Sequence, residues 1–278
     1  MYKAALVALK PERENEGAMR EAISLAIKEK LQLSALAVVD PDIAAPRQAI
    51  PLGAAAFKEH RDDVIKQQRH EAALSALSAF TGSCDEAGIA CSTTHREGPL
   101  DDELGIATES VDILVMGHGG AAEAGSKARE DLTVLNKILT AISRPCLLVP
   151  CRPAEIDRVT VAYDGSLQSA RAIYDFALSG LWSDAAVDIL TIADEGSFAD
   201  ETAERAAQYL KLHGYTATPH PVVTKYNVAD NIVRFVADSG SKALVMGAYG
   251  KPRWREAFVG SVTRSVLRNV MVPVFISH

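Results

Sequence analysis

The stretch ALVMG (Ala243–Gly247) is an apolar run that ends in a glycine, and two more glycines follow at Gly250 and Gly260. A helical pattern then runs from Val262 to Val270. A buried strand, a glycine loop and a helix start in this order are typical of a phosphate-binding site. Glycine suits such a loop because it lets the backbone come close to an anion. The stretch therefore predicts nucleotide binding in the second half of the chain.

An earlier part of the chain repeats this pattern. The sequence ILVMG occurs at Ile113–Gly117, 130 residues before its counterpart, and strands that end near Lys10 and Asp40 match strands that end 154 residues later. Constant offsets of this kind indicate an internal duplication. The smaller offset predicts extra residues in the first copy, which we place near 41–60, together with a helix expected from Ala55 to Phe80.

Each copy has the pattern of five strands that alternate with four helices. Such alternation predicts a mostly parallel, doubly wound sheet with helices on both faces. We therefore expect an α/β protein of two tandem domains, residues 1–150 and 154–278, with the boundary at the proline-containing segment near 150–153.

Three polar or flexible residues, Asp164, Gly165 and Ser166, follow the first strand of the second copy. A carboxylate at this position can accept a hydrogen bond from a ribose hydroxyl or an adenine amine. The alternative is that Asp164 or Ser166 only caps the next helix, where both residue types are favoured. In a doubly wound sheet this strand end lies beside the glycine loop, so both features would meet in one crevice.

The loop and helix start offer several further groups to a nucleotide. Gly247 and Gly250 would bring the backbone close to ribose and phosphates, and Gly260 and Ser261 would donate N–H groups. Val262 and Thr263 open the helix whose N-terminus would face the phosphates. Turn formation without any ligand is the alternative explanation of the glycines. Arg253, in the loop, could neutralise phosphate charge or be an ordinary solvated cation.

The pattern Gly-x2-Gly-x9-Gly-Ser resembles the nucleotide-binding subgroup of the universal stress protein family. Gly247, Gly250 and Gly260-Ser261 carry the resemblance together with Asp164, and as a tandem arrangement it covers nearly the whole chain. It implies an adenine nucleotide α-hydrolase-like fold and ATP binding, with Ile192 against the adenine. It also implies that the last strands of two domains pair, within this chain or in a homodimer.

The first copy departs from the family pattern. Lys10 stands in place of the aspartate, and Leu132-Thr133 stands where Gly260-Ser261 is expected. A leucine side chain would occupy the space that a phosphate needs. We therefore predict that one chain binds one nucleotide, in its second half.

Composition narrows the class of protein further. The net charge of -7 argues against nucleic-acid and anionic-membrane binding. No run of about 18 apolar residues is present. The four cysteines and the histidines lack zinc-ligand spacing, so we expect reduced thiols, no metal site and a cytoplasmic protein.

Motifs for fast catalysis are absent from the sequence. It contains neither a P-loop nor a Gly-x-Ser-x-Gly elbow. We expect an ATP-binding protein that acts in stress response or signalling through a protein partner of unknown identity. One alternative is a slow ATPase or autophosphorylating protein, with Mg²⁺ near Asp164 and phosphate on Ser261 or Thr263. The other is an interaction scaffold that binds no nucleotide.

Overall fold

The first half of the chain alternates strands with helices as predicted. A computed structural model describes residues 1–11, 15–41, 55–118, 126–151, 154–248 and 260–277, and for 55–59 and 126–132 it describes secondary structure alone. The elements of the first half are β1 (Ala4–Leu9), α1 (Glu16–Glu29), β2 (Gln32–Val39), α2 (Ala55–Glu86), β3 (Cys91–Glu97), α3 (Leu100–Thr108), β4 (Ile113–Gly117), α4 (Ser126–Ala141) and β5 (Cys146–Val149).

The second half repeats this order of elements. They are β6 (Arg158–Ala162), α5 (Leu167–Ser179), β7 (Ala186–Ala193), α6 (Gly196–Leu212), β8 (Thr216–Val223), α7 (Val228–Asp238), β9 (Ala243–Gly247), α8 (Ser261–Asn269) and β10 (Val274–Ser277). Across the described ranges, no helix is long and apolar enough to cross a membrane.

All ten strands join in one sheet, in the order β3-β2-β1-β4-β5-β10-β9-β6-β7-β8. Neighbouring strands are parallel within each half. The halves meet where β5 and β10 run antiparallel, with Leu147 opposite Phe275. The predicted doubly wound α/β fold is confirmed, and the last strands pair within the chain. The exact limits of the two domains stay a prediction.

Helices cover both faces of this sheet because side chains alternate between its faces along each strand. Val7 and Val115 face one apolar layer, whereas Leu6 and Leu114 face the other. The first layer is filled from α1, α2, α5 and α6, and the second from α3, α4, α7 and α8. Fully or almost fully buried helical residues of the two layers include Phe80, Phe176 and Leu210 in the first and Leu104, Leu139 and Leu267 in the second.

The extra length of the first half lies partly in a longer helix. α2 has 32 residues, whereas its counterpart α6 has 17. The predicted end at Phe80 was wrong, since the helix continues to Glu86 and stops before Gly88, which has a left-handed φ of 69°. Residues 42–54, where we placed most of the insertion, lie outside the described residues.

Contacts between the halves extend beyond the paired strands. The Trp182 indole N–H donates to Glu21 Oε1 over 3.4 Å, and Lys28 Nζ lies 2.8 Å from Asp184 Oδ2. Both contacts link α1 to the turn that follows α5. The two halves therefore share an interface on the face of the sheet that α1 and α5 cover.

Candidate functional site

The turn between β6 and α5 is built by Asp164, Gly165 and Ser166. Gly165 has φ 75°, a conformation that glycine adopts without strain. The Asp164 Oδ1 atom accepts a hydrogen bond from the Ser166 backbone N–H over 3.0 Å. Ser166 is the N-cap of α5, and its Oγ accepts from the Ser169 N–H over 3.3 Å. The capping alternative is thus correct for Ser166, whose hydroxyl is engaged in the turn.

Asp164 is poised as a hydrogen-bond acceptor. Partial removal of its carboxyl from water works to raise the pKa, but hydrogen bonds from Ser166 and Ser169 outweigh this effect, so the pKa lies below its ordinary value. The group is therefore ionised at neutral pH and can only accept hydrogen bonds. Because Asp164 is exposed, it can accept from a hydroxyl or amine outside the protein.

Gly247, at the end of β9, allows α5 to approach closely. A Cβ atom at this position would lie 2.7 Å from the backbone oxygen of Gln168 and 2.7 Å from the nitrogen of Ser169. Such distances are far inside normal contact, so packing alone explains this glycine. The close approach, with Ala162 paired to Met246 in the sheet, puts the Asp164 turn beside the end of β9. The two strand ends are therefore neighbours, as expected, and a ligand-binding crevice between them stays a prediction.

Gly260 differs from Gly247 because the described residues leave free the space that a Cβ atom would occupy. It is the N-cap of α8, with φ -52° and ψ 150°, and a Cβ atom there would meet none of the described residues within 4 Å. No acidic residue lies in the first turn of α8. The first N–H groups of a helix lack partners within it and attract anions. The described residues thus leave room at this helix start for a group larger than hydrogen.

The side chains after Gly260 differ in exposure. Ser261 is exposed, Val262 is partly buried, and Thr263 is buried at 4% exposure. Ser261 can therefore offer its hydroxyl to a ligand, whereas Val262 and Thr263 can offer their backbone N–H groups. These three residues stay predicted ligand contacts.

Ile192 lies at the same edge of the sheet as Asp164. β7 pairs with β6 so that Leu190 is opposite Ala162, and Ile192 follows two residues later on the same face as Leu190. Its side chain is partly buried, which suits contact with a flat apolar ring. Gly250 and Arg253 lie outside the described residues, so their predicted roles remain predictions.

In the first half, the side chain of Lys10 joins the equivalent pair of strand ends. Lys10 Nζ donates a hydrogen bond to the backbone oxygen of Gly117 over 2.9 Å. The positions that match Gly260-Ser261, Leu132 and Thr133, lie inside α4, which begins at Ser126. We expected a leucine side chain to block the phosphate, but the backbone gives a different reason. No helix begins at this point, so no free N–H groups are available to an anion.

Sequence reasoning missed one contact close to the site. His118, directly after β4, has its Nε2 atom 2.6 Å from the backbone oxygen of Leu267 in α8. The one available signal was the change from Gly117-His118 to Gly247-Ala248 between the copies. The contact itself depends on the pairing of β5 with β10 and could not be read from either copy alone.

Further features of the described ranges concern metal ligands, thiols and a cavity between the halves. Among those residues, no group of three or more His, Cys, Asp or Glu side chains could hold a metal ion. The four cysteines are free thiols.

A polar cavity of about 160 Å³ lies between the halves, near the end of β10. It is lined by Tyr2, Asp112, Ser143, Arg144, Pro145, Asp175 and Ser277.

These features define a doubly wound α/β protein whose candidate site lies at the carboxyl ends of its strands. A model of the Universal stress protein family matches residues 155–278. The universal stress protein Slr1230 of Synechocystis sp. (strain ATCC 27184 / PCC 6803 / Kazusa) is 29% identical over 209 residues, which are 74% of this chain and 71% of that protein. Residues 155–278 therefore match the universal stress protein family.

Solved structures share the fold over nearly the whole chain. A universal stress protein from Archaeoglobus fulgidus DSM 4304 aligns with 98% of this chain and 95% of its own, with a TM-score of 0.69 and 19% identity. A further universal stress protein, solved in complex with cAMP, aligns with 45% of this chain and 98% of its own, with 26% identity and a TM-score of 0.39. The cAMP ligand is a property of that protein.

Proposed function

We propose that this chain binds ATP in its second half, in the crevice formed by the ends of β6, β7 and β9 and the start of α8. The single observation that carries the proposal is that the described residues leave open space next to Gly260, at a helix N-terminus. The described protein atoms give no packing reason for a glycine there, whereas a phosphate at the helix start would.

The residues of the crevice fit the three parts of the nucleotide. Ile192, partly buried at the end of β7, would contact the adenine. Asp164, ionised and exposed, would accept hydrogen bonds from the ribose. Ser261 and the N–H groups of Val262 and Thr263 would hold the phosphates. In this arrangement Gly165 and Ser166 act through the turn, because they hold the Asp164 carboxylate in place.

Two residues of the segment between β9 and α8 would complete the proposed phosphate-binding site. Gly250 would let the backbone approach the phosphates, and Arg253 would add positive charge. Gly247 takes part indirectly, since it lets α5 pack against β9 and so closes one side of the crevice. The role of Gly250 follows the family pattern of spaced glycines, whereas that of Arg253 rests on its charge.

The role that fits these residues is binding rather than fast turnover. Asp164 already accepts a hydrogen bond from the turn, and a hydrolase needs a base positioned against an attacking water. We infer that bound ATP stabilises one conformation of the chain, which a protein partner recognises in a stress response or signalling pathway.

Binding is tested by isothermal titration calorimetry of the purified chain with ATP, and by mass spectrometry of any ligand released from it. We expect about one nucleotide per chain. Gly260→Leu should abolish binding because its side chain fills the phosphate space. Gly82→Leu is the matched control, since a Cβ at Gly82, in α2, also meets nothing within 4 Å.

Two results would contradict the proposal. If Gly260→Leu binds ATP as tightly as the parent chain, the site lies elsewhere. If the parent chain shows no affinity for ATP, the scaffold alternative is correct.

Autophosphorylation is a second candidate function, and one observation restricts it. Ser261 is exposed at the start of α8, whereas Thr263 is buried at 4% exposure. Ser261 is therefore the better phosphate acceptor of the two. Single-turnover incubation with γ-labelled ATP and Mg²⁺ separates the candidates. Label on the protein that disappears in Ser261→Ala would favour autophosphorylation, and an unlabelled chain would favour simple binding.

A further inference from the structure

His118 links the first half of the chain to the helix that begins the proposed phosphate site. Its Nε2 atom lies 2.6 Å from the backbone oxygen of Leu267, in α8. A carbonyl oxygen only accepts hydrogen bonds, so Nε2 carries the hydrogen and donates it. The backbone of His118 is held in turn, because its N–H donates to the Val149 oxygen over 2.8 Å.

Leu267 has a carbonyl that the helix itself leaves without a donor. The last four carbonyls of any helix lack an intrahelical partner, and α8 ends at Asn269. The last bond of the helix runs from the Val270 N–H to the Val266 oxygen over 2.9 Å. Leu267 is 1% exposed, and a buried carbonyl without a donor is costly. His118 therefore stabilises the C-terminus of α8 from the other half.

The duplicate position shows that this support runs in one direction. Ala248 follows β9 as His118 follows β4, and its N–H donates to the Ser277 oxygen over 2.8 Å in the same way. Alanine has no side-chain donor, and Ala248 is 0% exposed. Ala248 therefore cannot give α4 the side-chain hydrogen bond that His118 gives to α8.

We propose that His118 is a positioning residue for the nucleotide site of the second half. α8 has nine residues, so its two ends are only about 13 Å apart. His118 holds one end while the other end faces the phosphates. This inference rests on the proposed ATP site. It gives the first half a task, since a partner that displaced His118 would change the nucleotide affinity of the second half.

The test uses three variants of the full chain. His118→Leu removes the donor, His118→Gln keeps a side-chain N–H donor, and His60→Leu is the control, because His60 is an exposed residue of α2. Hydrogen exchange of the segment 261–270 is measured without nucleotide, and ATP affinity is measured by calorimetry. The exchange measurement reports on α8 whether or not the chain binds ATP.

We expect His118→Leu to speed exchange in 261–270 and to weaken ATP binding by about threefold to tenfold, as for loss of one hydrogen bond. His118→Gln should restore both properties, and His60→Leu should change neither. Restoration by glutamine separates the donated hydrogen bond from simple packing of the ring.

Several outcomes would overturn the inference. Unchanged exchange in His118→Leu would show that α8 needs no support from the first half. Faster exchange with unchanged affinity would show that the support does not reach the phosphate site. Failure of glutamine to restore either property would show that the donor is not responsible. If the parent chain binds no ATP, the proposed function fails, and the exchange data alone decide whether His118 holds α8.

Discussion

Lys10 Nζ donates a hydrogen bond to the backbone oxygen of Gly117, 2.9 Å away, across the ends of β1 and β4. In the second half the equivalent positions are Asp164 and Gly247, where the lysine is replaced by an exposed carboxylate. The ends of the two matching strands are thus joined by a lysine in the first half, whereas the second half has an exposed hydrogen-bond acceptor, Asp164, at the same position. The difference suggests that the halves have separate tasks.

Restoring the aspartate alone should not create a second nucleotide site. We expect Lys10→Asp, combined with Gly260→Leu to remove the proposed site, to leave a chain that binds no ATP. The physical reason is that α4 already covers the matching position from residue 126 onwards, so no helix begins there. Calorimetry measures the outcome. Binding of one ATP by the double variant would show that Lys10 was the sole obstacle in the first half.

The two glycines of the second half should respond differently to alanine. Gly247→Ala should cost about 1–3 kcal/mol of unfolding free energy, because overpacking a close contact has costs of this size. Its Cβ would lie 2.6 Å from the carbonyl carbon of Gln168. Gly260→Ala should change stability by less than about 0.5 kcal/mol, as substitutions in open positions do, yet weaken ATP binding.

Urea unfolding and calorimetry check this pair of glycines. Each alanine variant is the control for the other, since one is expected to affect folding and the other binding. Equal loss of stability in both would mean that Gly260 also packs against the protein, and the argument for a phosphate in front of it would fail.

Local patterns made most of the fold predictable. The runs ILVMG and ALVMG are β4 and β9, and a short apolar run bounded by turn residues is consistent with such a buried strand. The turn at Asp164 could also be predicted from the sequence, since helix capping depends on adjacent residues. In contrast, matching Leu132 to Gly260 assumed that both helices begin at the same point, and α4 begins earlier.

Long-range contacts could not be predicted in this way. His118 reaches Leu267 only because β5 and β10 pair across the two halves, and neither residue carries a local signal for the other. The same holds for Trp182 and Glu21, which are 161 residues apart in sequence. Sequence patterns therefore located the candidate site, whereas the structure was needed to find what supports it.

Glu21 is a buried carboxyl whose charge should cost stability. Burial raises its pKa, and the hydrogen bond from Trp182 lowers it only in part. With the pKa raised above 4.5 in the folded chain, the native state binds more protons than the unfolded state, so stability falls as pH rises through this range. Glu21→Gln should therefore be more stable than the parent chain at pH 7.

The pH dependence of the free energy of unfolding distinguishes an effect of the Glu21 charge from a stabilisation that is the same at every pH. The advantage of Glu21→Gln should vanish below about pH 4.5, where the parent carboxyl is protonated in both states. Glu86→Gln, at an exposed position of α2, serves as the control and should show no such gain. Urea unfolding followed by Trp fluorescence at several pH values gives the measurement. A destabilised Glu21→Gln at pH 7 would contradict the prediction.

Asp164 should have the opposite pH dependence. Burial alone would raise its pKa, but the hydrogen bonds from Ser166 and Ser169 bring it below the ordinary 3.8. A lowered folded-state pKa gives stability that is present above 3.8 and is lost as pH falls through the folded value. Asp164→Asn should therefore be less stable than the parent chain at pH 7, with the difference closing below pH 3.8.

Asp200→Asn, an exposed control in α6, should show no such closing in acid unfolding experiments. A constant difference between Asp164→Asn and the parent chain from pH 7 down to pH 3 would show that the charge of Asp164 does not stabilise its turn.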